Sequence, residues 1–191
     1  MKASALISAA YLETQRKLHA TPRGYGARGG KWAETVLAVV ADLGASSVLD
    51  YGCGQGSLGR ELRARKPAHV RVDEYDPAIS GKDRLPSFAD VVVCTDVLEH
   101  IEPDRLDAVL DHLKSLARIA VFLVVNLRVA SKTLCDGRNA HLIVQPAEWW
   151  RERVEAAGFA VMEVPNLPLA SSLIAKPEKQ KKCWIAVVRP C

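Results

Sequence analysis

Apolar positions recur along this chain in two rhythms, and the alternation between them predicts its elements. Trp32, Val36, Leu37, Val40 and Leu43 repeat at helical spacing up to Gly44, a residue suited to ending a helix. Val48 and Leu49 read as the end of a buried strand, and Leu58 and Leu62 as the inner face of a helix that stops before Pro67. Val70-Arg71-Val72 starts a second strand, and Val91-Val92-Val93 is the unbroken β-branched run of a central parallel strand buried on both faces. Pro103 fits the first turn of a helix with the stripe Leu106, Val109, Leu110, Leu113 and Leu116. Arg118 to Leu127, apolar almost throughout, is another central strand. Pro146 opens a helix that carries Trp149, Trp150, Val154 and Ala157 and closes at Gly158. Adjacent helical positions point apart, so one tryptophan belongs to the core and the other to a pocket wall or a partner surface. Ala160 to Val164 and Cys183 to Val188 read as the last strands, with Pro165 to Lys182 as a second lid or a disordered connector. Strands alternating with helices predict an α/β fold.

The N-terminus changes this picture little. Lys2 and the run Ala3 to Ala10 faintly suggest a signal peptide, but Ser4 and Ser8 interrupt it and Glu13, Arg16 and Lys17 follow, so an amphipathic helix is the better reading. No run approaches the roughly 18 apolar residues that span a membrane. A length of 191 residues suits one domain and leaves no room for a separate substrate domain. The formal charge of +4 is mild and the basic residues are scattered, apart from Lys176, Lys179, Lys181 and Lys182, so no nucleic-acid stripe is formed. Five well-separated cysteines read as reduced thiols of a cytoplasmic protein, not as a disulfide frame or a zinc site.

Candidate chemistry centres on Gly52, Gly54 and Gly56, a tight turn between a strand and a helix, where open α/β sheets bind nucleotides. Two readings compete. Gly54, Gly56 and Gly59 fit a dinucleotide fingerprint, with Glu74 about 20 residues on as the ribose acid. Asp50, just before the turn, would repel a pyrophosphate, whereas a ligand bearing an ammonium and a sulfonium would attract it.

Val48-Leu49-Asp50-Tyr51-Gly52-Cys53-Gly54-Gln55-Gly56 resembles the first motif of the class I S-adenosylmethionine-dependent methyltransferases, and Ala89 to Ile101, with Thr95-Asp96-Val97-Leu98-Glu99-His100, resembles their fourth-strand motif. The likeness covers roughly Tyr25 to Phe159 and is greatest with compact small-molecule enzymes, phage and prophage ones included. It implies a single-domain, Rossmann-like doubly wound sheet, mostly parallel with an antiparallel last strand. Pro77 to Ala89 is too short for the helix and third strand the family usually places there, so a short or missing third strand is expected. Residues 1–45 are expected to cover the cofactor with helices and a glycine-rich loop, and 46–191 to form the methyltransferase core.

The resemblance implies S-adenosyl-L-methionine as cofactor, no metal, and cofactor contacts from Asp50, Gly52, Gly54 and Gly56. It suggests Tyr25 and Lys31 at the methionine end, although a plain connector fits that glycine-rich loop as well. It also points to Asp83 at the adenine. The ribose acid is one of Asp73, Glu74 and Asp76: family spacing favours Asp73, and Pro77 marks Asp76 as the residue at the turn, which we favour. Asp96, at the carboxyl edge of the sheet, reads as a cofactor contact, an orienting group for the nucleophile, or a cap of the following turn. The long loop Arg128 to Gln145 reads as a substrate lid, with His141 as general base or as a residue that pins the loop.

The chain lacks the Asn/Asp-Pro-Pro-Tyr/Phe and Pro-Cys signatures of nucleic-acid amino- and carbon-methylating enzymes, so a small-molecule acceptor is expected. The alternatives are a methyltransferase acting on nucleic acid or protein, and a non-catalytic S-adenosylmethionine-binding or NAD-binding protein.

Overall fold

A computed structural model describes residues 6–21, 25–162 and 182–191. The element order is α1 (Ala9–His19), α2 (Ala33–Asp42), β1 (Ser47–Tyr51), α3 (Ser57–Arg65), β2 (Arg71–Tyr75), β3 (Ala89–Thr95), α4 (Leu106–Leu116), β4 (Ala117–Asn126), α5 (Ala147–Ala156), β5 (Phe159–Met162) and β6 (Cys183–Pro190). The six strands form one sheet in the order β2-β1-β3-β4-β6-β5. The first four are parallel, β6 runs antiparallel to β4, and β5 antiparallel to β6. No strand forms between Tyr75 and Ala89, so β2 is the sheet edge and the expected loss of a third strand is seen.

Successive side chains of a strand face opposite ways, and both faces are buried here. Val91 and Val93 join Val48, Phe122 and Val124 under Val36, Val39 and Val40 of α2 and Leu58 and Leu62 of α3. Val92 and Cys94 join Leu49, Val121 and Leu123 under Leu106, Leu110 and Leu113 of α4 and Trp150 and Val154 of α5. This is the physical meaning of the unbroken apolar runs: a strand covered twice has no polar face. Of the two tryptophans, Trp150 is fully buried, and Trp149 stacks edge-on against it at 5.0 Å, away from the large cavity. Trp149 instead borders a shallow groove with Pro103, Leu142 and Val144.

Helix α1 is held by polar contacts and one small apolar cluster. Ser8 caps it, its hydroxyl accepting from Tyr11 N at 3.2 Å. The Ser8 hydroxyl also donates to the Glu102 carboxylate at 2.6 Å, and the Tyr11 hydroxyl donates to the His100 carbonyl at 2.7 Å. Tyr11 packs with Leu134 and Ala140 of the long loop after β4, so helix and loop form one cover. That loop is pinned by Asn139, whose side-chain oxygen accepts from Ala130 N and His141 N, both at 2.9 Å. All five cysteines are free thiols. Residues 176, 179 and 181 of the lysine cluster and most of the connector before β6 lie outside the described residues. Among the described residues no helix is long and apolar enough to cross a membrane.

Candidate active site

Parallel strands deliver their carboxyl ends to one edge, and the turns after β1, β2, β3 and β4 enclose a cavity of about 540 Å³ there, roofed by α1 and residues 25–31. Its size falls in the range of ligand pockets, roughly 300–1,000 Å³.

The first half is built on the glycine turn. Gly52 and Gly54 have φ of 74° and 51°, a region that side-chain-bearing residues avoid. Close packing adds to this: a Cβ on Gly54 would lie 2.6 Å from the Gly26 carbonyl oxygen, and one on Gly52 would strike Val97. Asp50, 3% exposed, lines the cavity, and its Oδ2 has no hydrogen-bond partner among the described residues. Burial, then the Glu74 carboxylate, pushes its pKa up to about 7. A buried carboxylate oxygen left without a donor is costly unless a ligand supplies one. Asp76, also buried, accepts Gly54 N and Ala78 N at 2.9 Å each and lines the cavity.

The other acids that the sequence offered lie elsewhere. Asp73 is on the outside of β2, ion-paired to Arg71 at 2.9 Å, and Asp83 is exposed; neither lines the cavity. Glu74 turns towards α3, pairing with Arg63 at 3.3 Å and Lys82 at 3.4 Å. It fills the space where Gly56 and Gly59 lack side chains. The dinucleotide spacing of those glycines therefore makes room for Glu74, and Gly56 serves as the left-handed N-cap of α3 without lining the cavity.

The second half lies beyond β3. Asp96 adopts φ of 54°, donates its N–H to Val124 O at 2.8 Å, and accepts Lys31 Nζ at 3.0 Å, so it does not cap the turn that follows. Glu99 is fully buried; its Oε1 accepts Asn126 N at 3.1 Å, and its Oε2 has no partner among the described residues. Burial, together with the Asp96 carboxylate, raises its pKa to about 8. His100 Nδ1 lies 2.7 Å from the Ala140 carbonyl and 3.0 Å from the Tyr25 hydroxyl, and burial, then the neighbouring His141, lowers its pKa to about 4. His141, half-buried, bonds its Nδ1 to the Arg128 carbonyl and packs edge-on against His100 at 4.7 Å. One oxygen of Glu99 and one ring nitrogen from each histidine lie within 4.8 Å of one another.

Tyr25 and Lys31 both line the cavity, with Tyr25 between His19 and His100. His19, at the end of α1, stands 3.9 Å from Asp76, a neighbour that no spacing in the chain marks. Glu99 and His100 were legible only as part of a motif; their meeting with His141 depends on the loop path set by Asn139.

The residues fit S-adenosylmethionine better than a dinucleotide: a buried carboxylate without a partner among the described residues lines the cavity, and the acid needed for the dinucleotide reading is withdrawn into the protein. Residues 25–164 match a family described as a methyltransferase domain. No curated protein sequence matches the chain. Among solved structures, the chain is similar to 1,6-didemethyltoxoflavin-N1-methyltransferase of Burkholderia thailandensis, with TM-score 0.63 and 16% identity, over 95% of this chain and 88% of that one. It is similar to the mitomycin 7-O-methyltransferase MmcR with TM-score 0.60 and 16% identity, covering 93% of this chain but only 60% of that one. A small RNA methyltransferase, HEN1, also matches, at TM-score 0.55 and 15% identity, over 82% of this chain and 25% of its own. At such identities the likeness is one of fold. The family match spans most of the chain, and the chain belongs to the class I S-adenosylmethionine-dependent methyltransferases.

Proposed function

We propose that this enzyme methylates a small molecule inside the cavity at the carboxyl edge, with the cofactor in the Asp50 and Asp76 half and the acceptor in the Glu99 and His141 half. One observation carries the division: the two unpartnered buried carboxylate oxygens of the cavity, on Asp50 and Glu99, come from the ends of different strands. Asp50 is assigned to the ligand's positive charge, Asp76 to the ribose hydroxyls, and the backbone of Gly52 and Gly54 to close approach. Tyr25 and Lys31 shut the methionine end, and α1 with residues 25–31 acts as the cover, while α2, although within 1–45, packs into the core against β1 and α3.

When bound, S-adenosylmethionine supplies a methyl group already activated by its sulfonium, so the protein's main task is alignment. The chain's residues exclude water and orient the acceptor. A carbonyl can only accept, so His141 Nδ1 donates to Arg128 O and Nε2 keeps its lone pair. We assign that nitrogen as the group that takes the acceptor's proton. Asp96, engaged with Lys31, orients and is not the base.

Several features support a small acceptor: the enclosed volume, the lack of a basic stripe, and neighbours named as a 1,6-didemethyltoxoflavin-N1-methyltransferase and a mitomycin 7-O-methyltransferase. The RNA enzyme among the neighbours keeps a nucleic-acid acceptor as the competing reading. Five free thiols fit a cytoplasmic setting. Incubating the protein with methyl-labelled cofactor and a fractionated cell extract decides the acceptor: label in the small-molecule fraction is expected, and label confined to RNA or protein contradicts the proposal.

A further inference from the structure

We propose that Glu99, His100 and His141 form a binding site for a first-row divalent cation, of the Zn²⁺, Co²⁺ or Mn²⁺ kind, at the acceptor end of the cavity. Three independent observations converge on it. First, the donors converge, with one ligand atom from each residue inside 4.8 Å of the others. Ligands held about 2.1 Å from an ion at tetrahedral angles stand about 3.4 Å apart, so rotamer adjustments that close the widest pair by up to about 1.4 Å bring all three onto one centre.

Second, each donor is already oriented by a partner behind it. His100 Nδ1 meets the Ala140 carbonyl and His141 Nδ1 the Arg128 carbonyl, and since both partners are acceptors, both rings carry their proton there. The free lone pair on each ring is then on Nε2. Glu99 is fixed through Oε1 by Asn126 N. A metal-ligating histidine usually donates its other ring N–H to a carbonyl or carboxylate, which fixes the ring's orientation. Third, Glu99 Oε2 is fully buried without a partner among the described residues, the state a carboxylate tolerates poorly unless something positive faces it.

Two imidazoles and one carboxylate suit borderline first-row ions, whereas Mg²⁺ and Ca²⁺ prefer oxygen alone. Such a triad leaves coordination positions open, and all three residues line the cavity. The Tyr25 hydroxyl, 3.4 Å from His100 Nε2, is the contact an ion must displace. The task of the ion, unlike its binding, rests on the methyltransferase reading. An acceptor hydroxyl ligating the ion loses its proton to water at neutral pH; its oxygen then bonds to the methyl carbon as the sulfur–carbon bond breaks, the electron pair leaving with sulfur. A nitrogen that holds an ion takes no proton, so His141 is the base in the ion-free protein and the bound ion takes over that activation.

The test uses the full chain, stripped with chelator and without cofactor, titrated with Co²⁺ and followed by visible absorption and calorimetry. One Co²⁺ per chain is expected, weakened tenfold or more in His141→Gln and in Glu99→Gln, with circular dichroism and thermal melts showing that both variants fold. Asp50→Asn is expected to leave the Co²⁺ isotherm unchanged while cofactor binding falls. No Co²⁺ binding below 1 mM, affinity unaltered by His141→Gln in a folded variant, or displacement by equal Mg²⁺ overturns the site. Wild-type protein that binds Co²⁺ but no S-adenosylmethionine would count against the methyltransferase reading alone.

Discussion

Asp50 is the residue whose energetics are most exposed to test. Its carboxyl, pushed up to about 7 by burial and by Glu74, with Asp76 adding to the rise and Lys82 and Arg63 opposing it, stays protonated in the folded protein over a range where the unfolded chain ionises. Below the unfolded value of about 3.9 the folded protein has the full benefit of this proton; the benefit is lost as pH rises through about 7. The ligand-free protein should therefore lose up to a few kcal/mol of stability between pH 4 and 7 from this group, an effect that urea melts of wild type and Asp50→Asn isolate. The variant is expected to be the more stable of the two at pH 8. It should nonetheless bind the cofactor about 30-fold more weakly or worse, because the attraction to the ligand's positive charge is gone. Binding at pH 6 should also release a proton, read as a buffer-dependent heat. Asp50 was legible in the sequence because its place before the glycines needs only strand direction. His100 was not, because its partners come from residue 25 and residue 140.

At the scale of elements, the glycine turn and α5 make opposite demands. Gly54→Ala places a methyl against the Gly26 carbonyl in a left-handed conformation, so it should destabilise by about 1–3 kcal/mol and displace the segment over the cofactor. The expected readout is a lower melting temperature together with weaker cofactor binding. Trp150→Ala empties a fully buried site that does not line the cavity and should cost about 3–5 kcal/mol in urea denaturation. Strands and helices were legible because each apolar run is long or periodic enough to fix its period. The ribose acid was less so: Asp73, Glu74 and Asp76 differ by one or two residues, and on a strand that decides the face. Asp73 turns outward to Arg71 and Glu74 over α3, leaving Asp76 at the turn. The long loop after β4 gave a length but no path, since Asn139 folds it through its side chain.

For the whole molecule, the doubly covered sheet sets the site and the cover of α1 and residues 25–31 completes it. A ligand that binds only the folded state raises stability by RT ln(1 + [L]/Kd), about 2.7 kcal/mol at a hundredfold excess over Kd. S-adenosylmethionine should thus raise the melting temperature in a concentration-dependent way. Calorimetry on the full chain with S-adenosylmethionine and NAD in turn is the most direct measurement of all: one equivalent of the sulfonium cofactor is predicted to bind, strongly weakened in Asp50→Asn, with NAD giving no heat, whereas binding of NAD and none of S-adenosylmethionine would contradict the account.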